Sequence, residues 1–419
     1  MHKYESQRNS VTMIEFEEAL ELLRALPAAG GSEVVPLMRA AGRVTTRDVL
    51  LDRDQPGFDR ATMDGYALAL IAGQAEYRVI GTLTAGTHHD GELAAGDALR
   101  IMTGAPCPKG AGGRSVTVVP IELTDAGEER VRIEDAGALV AGRNLAWQGE
   151  DGHAGDCLVR AGTRLGPATL SVAAMAGVTE IEVFADPRVA IVTTGDEVGG
   201  SGSASIRDSN GPLLEALLSA VGCSITREHA RDEEDELAAA LRRATEAADI
   251  VVTTGGVSMG SRDLVPDTIA ELGYETVFHK VAVQPGKPVL IARHPSGSLF
   301  CGLPGNPVSV LVTAHLFLLE AIARFQDGWR HRWLKLRIAE DYLHRGRRHL
   351  FLPATLAEGG VHPVRWNGSG DLIAAASADG IVDLPVGSDL KAGDFVSFLP
   401  YVGHTAGQGG VLPARSSKG

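Results

Sequence analysis

The feature that most constrains this chain is a series of short apolar segments between residues 187 and 326, several of them followed by a glycine-rich polar turn. Residues 189–194 form a continuous run rich in β-branched side chains before Gly195-Asp196-Glu197, and residues 249–254 end at Gly255-Gly256. Continuous apolar runs of this length are typical of strands buried on both faces. Helical patterns separate them, so we predict an α/β domain with a mainly parallel sheet. In such sheets ligands bind beyond the carboxyl ends of the strands.

The elements expected in this domain follow from the same pattern. Asn210, Asp232 and Asn306 each precede a helical pattern and have side chains suited to capping it, and Pro307 suits a first helical position. We predict strands at residues 189–194, 224–228, 249–254, 276–283, 289–292 and 299–301, and helices at residues 210–221, 233–248, 265–272 and from 307 onward.

The segments on either side of this domain favour strands. A first helix is expected at residues 13–26, because Thr12 and Glu15 have the spacing of a capping box, and another at residues 167–177. Short strand patterns separated by Gly and Asp turns fill most of residues 77–165 and 329–400. The predicted fold class is therefore multidomain α/β plus β, with a small all-β domain at the C-terminal end.

Charge and cysteine usage exclude several classes of function. A formal net charge of -14 disfavours nucleic acid, whose phosphates need clustered Lys and Arg. It leaves room for a small anion held by a local pocket. The four cysteines have no C-x-x-C spacing, which favours reduced thiols. The chain lacks an apolar signal core and any run of about 18 apolar residues, so we expect a cytoplasmic protein without a membrane partner.

Two polar clusters contain carboxylates suited to metal or acid–base chemistry. Asp59 and Asp64 flank a short loop within the sequence DQPGFDRATMDGYA, and their spacing suits either a metal site or an Asx-turn loop without chemistry. Asp196 and Glu197 follow a predicted strand, where they suit either Mg²⁺ held against a phosphate or the entry to a helix.

Two further clusters suit anion binding. The sequence TTGGVSMG, followed by Asp263, combines glycines and hydroxyls after a buried strand, although a generic tight loop would use the same residues. It is not a P-loop, because the G-K-[ST] ending is missing. The sequences QPGKP (from Gln284) and LPGNPVS (from Leu303) combine Lys287 with a predicted helix N-terminus, or else form rigid turns alone.

Together these clusters resemble a known family. The motifs occur in family order: FD-R-A-T-MDGYA from Phe58, IMTGAP from Ile101, GED from Gly149, TTGDE from Thr193, RDSN from Arg207, TTGGVSMG-SRD from Thr253, PGKP from Pro285 and GLPGNPVS from Gly302. They are similar to those of the molybdopterin molybdenumtransferase family, which includes the E domain of gephyrin. The similarity spans about residues 12–400 of this chain.

The resemblance implies a subunit of several parts that works as a homodimer. Residues 1–50 and 145–186 would form a central N-terminal region, and residues 51–144 a protruding, mostly-β lobe. Residues 187–326 would form the α/β molybdopterin-binding domain and residues 327–403 the C-terminal β domain, followed by a flexible tail at residues 404–419.

The resemblance also implies the reaction and its residues. Molybdate would be inserted into adenylylated molybdopterin, giving molybdenum cofactor and AMP, with assistance from Mg²⁺ or Zn²⁺. Catalytic roles fall to Asp59, Glu197, Asp232 and Asp263, and metal binding to Asp59, Glu197 and Asp263. Substrate-binding roles fall to Thr103, Gly255, Gly256, Ser258, Lys280, Lys287, Pro288, Gly305, Asn306, Ser309, Arg347 and Ser369.

Several positions depart from the family pattern. Ala146-Trp147-Gln148 stands where a run of arginines is common, Gln284 where a lysine is common, and residues 112–116 replace the usual segment after IMTGAP. The loop at residues 198–206 is short and rich in Gly and Ser. The lost cations keep open a divergent paralogue that binds the pterin or handles another oxyanion such as tungstate. The resemblance to gephyrin leaves a second alternative, a non-enzymatic gephyrin-like scaffold.

Overall fold

The computed structural model describes residues 13–27, 29–196, 198, 205–257, 264–326 and 333–403. These residues divide into two compact units. The first unit takes the described residues of 1–47, 162–166 and 180–419, and the second unit takes 48–161 and 167–179. Within these ranges, no helix has the length and apolar character needed to cross a membrane.

The helices of the described residues are short. A π-helical turn at Ala314–Leu318 joins two of them, so that residues 307–322 run as one continuous helix. The α-helices are α1 (Phe16–Ala25), α2 (Pro167–Met175), α3 (Asn210–Ala220), α4 (Glu234–Ala247), α5 (Val265–Glu271), α6 (Pro307–Thr313), α7 (Leu319–Ile322) and α8 (Leu372–Ala375). Single 3₁₀ turns lie at Leu37–Arg39, Ala111–Gly113, Ile121–Leu123 and Ala136–Ala138.

The strands of the described residues are listed here in chain order. They are β1 (Ser32–Pro36), β2 (Val49–Leu50), β3 (Arg60–Ala61), β4 (Gly65–Ala69), β5 (Glu76–Leu83), β6 (Asp97–Ile101), β7 (Val116–Pro120), β8 (Arg130–Arg132), β9 (Leu145–Ala146), β10 (Cys157–Val159), β11 (Glu180–Phe184), β12 (Arg188–Thr194), β13 (Ser224–Ala230), β14 (Ile250–Thr254), β15 (Glu275–His279), β16 (Val283–Gln284), β17 (Leu290–Arg293), β18 (Leu299–Leu303), β19 (Leu334–Arg337), β20 (Tyr342–Leu343), β21 (His349–Ala357), β22 (Gly360–Pro363), β23 (Gly380–Leu384), β24 (Asp389–Leu390) and β25 (Phe395–Pro400).

The central sheet of the first unit confirms the predicted α/β domain. Its strand order is β13-β12-β14-β18-β17-β15, with β12, β13, β14 and β18 parallel and β17 antiparallel to both of its neighbours. Successive residues of β14 face opposite layers: Val252 packs with the α3 residue Leu218, and Val251 with the α4 residue Leu241. Helices therefore cover both faces, which explains why every residue of β14, and every residue of β12 after Arg188, is buried.

Antiparallel strand pairs dominate the rest of the described residues, although β5 and β6 are parallel, as are β16 and β21. In the second unit the order is β7-β4-β6-β5-β8, and alternate residues of β4 enter different clusters, Tyr66 on one face and Ala67 on the other. In the first unit a C-terminal sheet has the order β16-β21-β23-β25-β19. This combination of a central α/β sheet, a mostly-β region and a C-terminal β domain confirms the predicted fold class.

Some local predictions were wrong. Residues 276–283 are not one strand, because β15 ends at His279 in the central sheet and β16 begins at Val283 in the C-terminal sheet. Asn210 does not cap α3; the Asp208 carboxylate does, since its Oδ1 accepts hydrogen bonds from the Asn210 and Gly211 amides at 3.0 and 2.9 Å. The residue preceding α4 is Glu233 rather than Asp232, and its side chain makes no capping bond.

Candidate functional site

The polar loops meet at the carboxyl edge of the central sheet. Thr193 pairs with Thr254, and Thr254 pairs with Leu303, so the parallel strands end at the same level. The glycine-containing loops that follow them come together there. The amide of Gly255 donates a 3.1 Å hydrogen bond to the Leu303 carbonyl, and the side chain of Asn210 donates a 2.8 Å bond to the Gly305 carbonyl. The edge is thus a connected set of loops.

A cavity of about 570 Å³ opens beside this edge. Lys287 and Arg348 are the charged side chains in its described lining, which contains no carboxylate. The remaining lining residues are Gln284, Pro285, Gly286, Pro288, Pro304, Gly305, Asn306, Ser309, Trp366, Gly368 and Ser369. The cavity therefore favours an anion, although the whole chain carries a net charge of -14.

The two cations are available to a ligand. Lys287 is exposed and Arg348 is half-buried, and within the described residues neither forms an ion pair with a carboxylate. One guanidinium nitrogen of Arg348, Nη1, donates a 3.1 Å hydrogen bond to the Val283 carbonyl. That bond fixes the side chain and leaves its other N–H groups for a ligand.

Two hydrogen bonds hold Ser369 at the start of α6. Its hydroxyl accepts a 2.8 Å bond from the Asn306 side chain, and its carbonyl accepts a 3.0 Å bond from the Val308 amide. Asn306 precedes α6 as predicted, but its side chain binds Ser369 instead of capping the helix. The continuous helix from Pro307 to residue 322 directs its N-terminus at the cavity, which favours an anion there.

Close packing fixes the loop that carries Lys287. Gly286 has a φ of 103°, and a Cβ on it would lie 2.2 Å from Cγ2 of Thr313 in α6. Gln284, on β16, pairs with Leu350 of β21 in the C-terminal sheet. The loop is therefore held between the helix and that sheet, and no side chain larger than glycine fits at residue 286.

Sequence reasoning missed part of this lining. The structure lines the cavity with Arg348, whereas the exposed Arg347 is not a lining residue. Trp366 was also missed, although it lies three residues before Ser369. Gln284, which belongs to the predicted anion-binding sequence QPGKP and stands where a lysine is common in the family, lines the cavity.

Other predicted substrate-binding and catalytic residues lie at the same edge but outside the cavity lining. Lys280 directly follows β15, is half-buried and has a left-handed φ of 71°. Gly255 and Gly256 follow β14. Asp232 follows β13, and its amide donates a 3.1 Å hydrogen bond to Oδ1 of Asp196. Glu197, Ser258 and Asp263 lie outside the described residues.

The remaining predicted site residues, Asp59 and Thr103, lie in the second unit. The Gln148 amide donates a 2.8 Å hydrogen bond to Oδ1 of Asp59. Thr103 donates from its amide and its hydroxyl to Oδ1 of Asp64, at 2.7 and 2.9 Å. These two bonds lower the pKa of Asp64. Asp64 therefore holds Thr103 in place, while Asp59 keeps one carboxylate oxygen for a ligand.

The cysteines offer no thiolate chemistry at these sites. All four are free, so no disulfide joins them. Burial, with a smaller contribution from the charge of Asp59, raises the pKa of Cys107 to about 12. A thiol with such a pKa is protonated at neutral pH and is a poor nucleophile.

Comparisons with known proteins agree along most of the chain. Three family models match in order: MoeA N-terminal region (domain I and II) at residues 14–177, a probable molybdopterin binding domain at residues 190–324, and MoeA C-terminal region (domain IV) at residues 335–401. The molybdopterin molybdenumtransferase of Staphylococcus aureus strain Mu50 is 30% identical over 405 residues, covering 92% of this chain and 95% of that protein. The one from Synechococcus elongatus is 35% identical over 326 residues, covering 73% and 79%.

A solved structure shares the fold. The molybdopterin biosynthesis MoeA protein from Pyrococcus horikoshii OT3 superposes with a TM-score of 0.80 and 26% sequence identity. The match covers 93% of this chain and 100% of the Pyrococcus horikoshii chain.

Proposed function

This chain belongs to the molybdopterin molybdenumtransferase family and is a transferase of molybdenum-cofactor biosynthesis, and from that premise we propose that it inserts molybdate into adenylylated molybdopterin and releases AMP. Molybdopterin and molybdate are then its substrates. The proposal assigns the oxyanion to the cavity at the carboxyl edge of the central sheet.

The observation that carries the proposal is the charge of that cavity. Two cations, Lys287 and Arg348, line it without any carboxylate among the described residues. Molybdate carries two negative charges, so it gains from both cations and meets no acidic side chain among the described lining residues. A volume of about 570 Å³ exceeds what one small oxyanion needs and leaves space for the pterin dithiolate that receives the metal.

Neutral donors complete the oxyanion pocket. The hydroxyls of Ser309 and Ser369 and the start of α6 are suited to donate hydrogen bonds to molybdate oxygens. Pro288 and Gly305 shape the wall, and Asn306 positions Ser369 through its 2.8 Å bond. We propose that these groups hold molybdate while the phosphoanhydride of the adenylylated pterin is cleaved.

We further propose that Asp59, Glu197 and Asp263 bind a divalent cation, Mg²⁺ or Zn²⁺, and that Asp232 and Thr103 assist at the reacting phosphate. Within the described residues no three His, Cys, Asp or Glu side chains converge on one point. The donor chemistry of Asp59 still fits Mg²⁺, which takes one or two carboxylates together with water and substrate phosphates. A cation bound there would neutralise negative charge on the phosphate oxygens.

Release of AMP from adenylylated molybdopterin by the purified protein, with and without molybdate, tests the proposal. We expect molybdate to stimulate release and Lys287→Met to raise the molybdate concentration required. Lys335→Met is the matched control, because Lys335 is an exposed lysine of β19 whose side chain, among the described residues, bonds Ser397. Stimulation by tungstate alone would favour the divergent paralogue, and no release with either oxyanion would refute the transferase proposal.

A further inference from the structure

Residues 344–348, which we call the arginine loop, connect β20 to β21 and place Arg348 in the lining of the oxyanion cavity, the one of about 570 Å³. Arg345 and Arg347 are exposed, as suits a connection at the surface of the protein. His344 is the exception in this loop, because only 6% of its surface is exposed. The proposed function gives no role to this buried imidazole, so its contacts are followed here in turn.

Both ring nitrogens of His344 contact main-chain groups of the arginine loop. Nε2 lies 2.8 Å from the Arg348 carbonyl oxygen, and the Gly346 amide donates a 3.3 Å hydrogen bond to Nδ1. Because a carbonyl can only accept, Nε2 carries the proton of this contact, and Nδ1 must be unprotonated in order to accept from an amide. The two partners therefore select one neutral tautomer, with its donor directed at Arg348.

The imidazole has little freedom to leave this arrangement. The His344 amide donates a 2.8 Å hydrogen bond to the carbonyl of Ser388, which lies between β23 and β24. Gly346 lies against the ring, since a Cβ on Gly346 would be 2.4 Å from Cε1 of His344. The main chain on both sides of the ring therefore fixes its position.

Other bonds attach Arg348 to the segment that leads to the second cation of the cavity. Arg348 donates from Nη1 to the Val283 carbonyl at 3.1 Å, and the His349 amide donates to the Ala282 carbonyl at 2.9 Å. Val283 belongs to β16, and the loop after β16 carries Lys287. The spacing of the two cations therefore depends on a fixed main chain at Arg348, which is the group that His344 binds.

We propose that His344 is a positioning residue for oxyanion binding, which holds the carbonyl of Arg348 so that the guanidinium faces the cavity. His344 lies outside the described cavity lining, so it acts through Arg348 and does not touch the ligand. Without this bond the exposed arginine loop would have to be ordered when the ligand binds, and that ordering costs affinity. The inference rests on the proposed function, which assigns molybdate to this cavity.

Calorimetric titration of the purified full chain with molybdate tests the role of His344 without requiring turnover. His344→Leu removes both ring contacts and should weaken molybdate binding by about tenfold. His344→Gln should recover most of the affinity, because its amide reaches the position of Nε2 and donates to the Arg348 carbonyl again. His344→Asn should recover little, because its shorter side chain reaches only the position of Nδ1.

A double-mutant cycle separates positioning from general stabilisation. In an Arg348→Gln background, His344→Leu should cause no further loss of molybdate affinity, because the guanidinium that it positions is already gone. In turnover, His344→Leu should raise the molybdate concentration for half-maximal AMP release and leave the rate at saturating molybdate close to that of the wild type.

His362→Leu is the matched control. Nε2 of His362 lies 3.1 Å from the Glu358 carbonyl, which is also a contact across four residues, and His362 lies outside the described cavity lining. This substitution should leave molybdate affinity unchanged. Urea denaturation of each variant shows which proteins are folded. If His344→Leu does not fold, the comparison of His344→Gln with His344→Asn decides, and equal affinities in those two would overturn the proposal.

Wild-type molybdate affinity in folded His344→Leu would also overturn it, as would a full further loss in the Arg348→Gln background or a wild type that does not bind molybdate. If Arg348→Gln weakens molybdate binding and His344→Leu does not, the oxyanion cavity stands and the positioning role fails. If binding depends on His344 but the wild type releases no AMP from adenylylated molybdopterin, the positioning role stands and the transferase proposal fails.

Discussion

Replacing Arg348 by glutamine should raise the molybdate requirement strongly, whereas the same change at Arg347 should not. The resemblance to known proteins assigned the oxyanion contact to Arg347, but only Arg348 lines the cavity. The two residues are adjacent and have the same side chain, so the pair separates the two assignments without changing the chemistry of the substitution.

The expected magnitude follows from the lining. Among the described lining residues, Arg348 is one of two cations and no carboxylate is present. Losing one charge-assisted hydrogen bond costs about 1.5–3 kcal/mol of binding free energy. That corresponds to a rise of roughly ten- to 150-fold in the molybdate concentration for half-maximal turnover. Glutamine also loses the bond to the Val283 carbonyl, which should lower the free energy of unfolding by about 0.5–1.5 kcal/mol.

The assay is AMP release from adenylylated molybdopterin as a function of molybdate concentration, at two ionic strengths. Urea denaturation of the same proteins measures the separate loss of stability. Arg345→Gln, at an exposed arginine outside the cavity lining, is the matched control for the loss of one charge. A larger molybdate effect in Arg347→Gln than in Arg348→Gln would refute the placement of Arg348.

Three further expectations follow. Gln284→Lys adds a cation to the same lining, so the molybdate concentration for half-maximal AMP release should fall about tenfold. An unchanged or higher concentration would show that the side chain at residue 284 does not contact the oxyanion. Gly286→Ala should lower the free energy of unfolding by about 1–3 kcal/mol or more in urea denaturation. Gly297→Ala, at a φ of 97° with no atom within 4 Å of its Cβ, measures the backbone part of that loss alone, so equal losses would contradict the predicted clash with Thr313. Sedimentation should give twice the 43.9 kDa chain mass, and an active monomer would contradict the homodimer that we propose from the family resemblance.

Local rules predicted the elements but not the partners of their polar side chains. The apolar runs at residues 189–194 and 249–254 became buried strands, because such runs are stable only when covered on both faces. The cap of α3 was predicted at Asn210, but the structure places it at Asp208. Asp208 and Asn210 are both good capping residues, so only their tertiary surroundings distinguish them. Asn210 binds the Gly305 carbonyl, 95 residues away in the sequence.

The sequence by itself determined the family, the central α/β sheet and the motifs that carry the chemistry, because periodicity and glycine-rich turns are local properties of the chain. Only the tertiary structure decided which of two adjacent arginines lines the oxyanion cavity. Arg347 and Arg348 lie in a bend directly before β21, and which of the two side chains faces the cavity depends on the tertiary pairing of β21 with β16. Likewise only folding brings the Arg348 guanidinium to the Val283 carbonyl, since the two residues are 65 positions apart in the sequence.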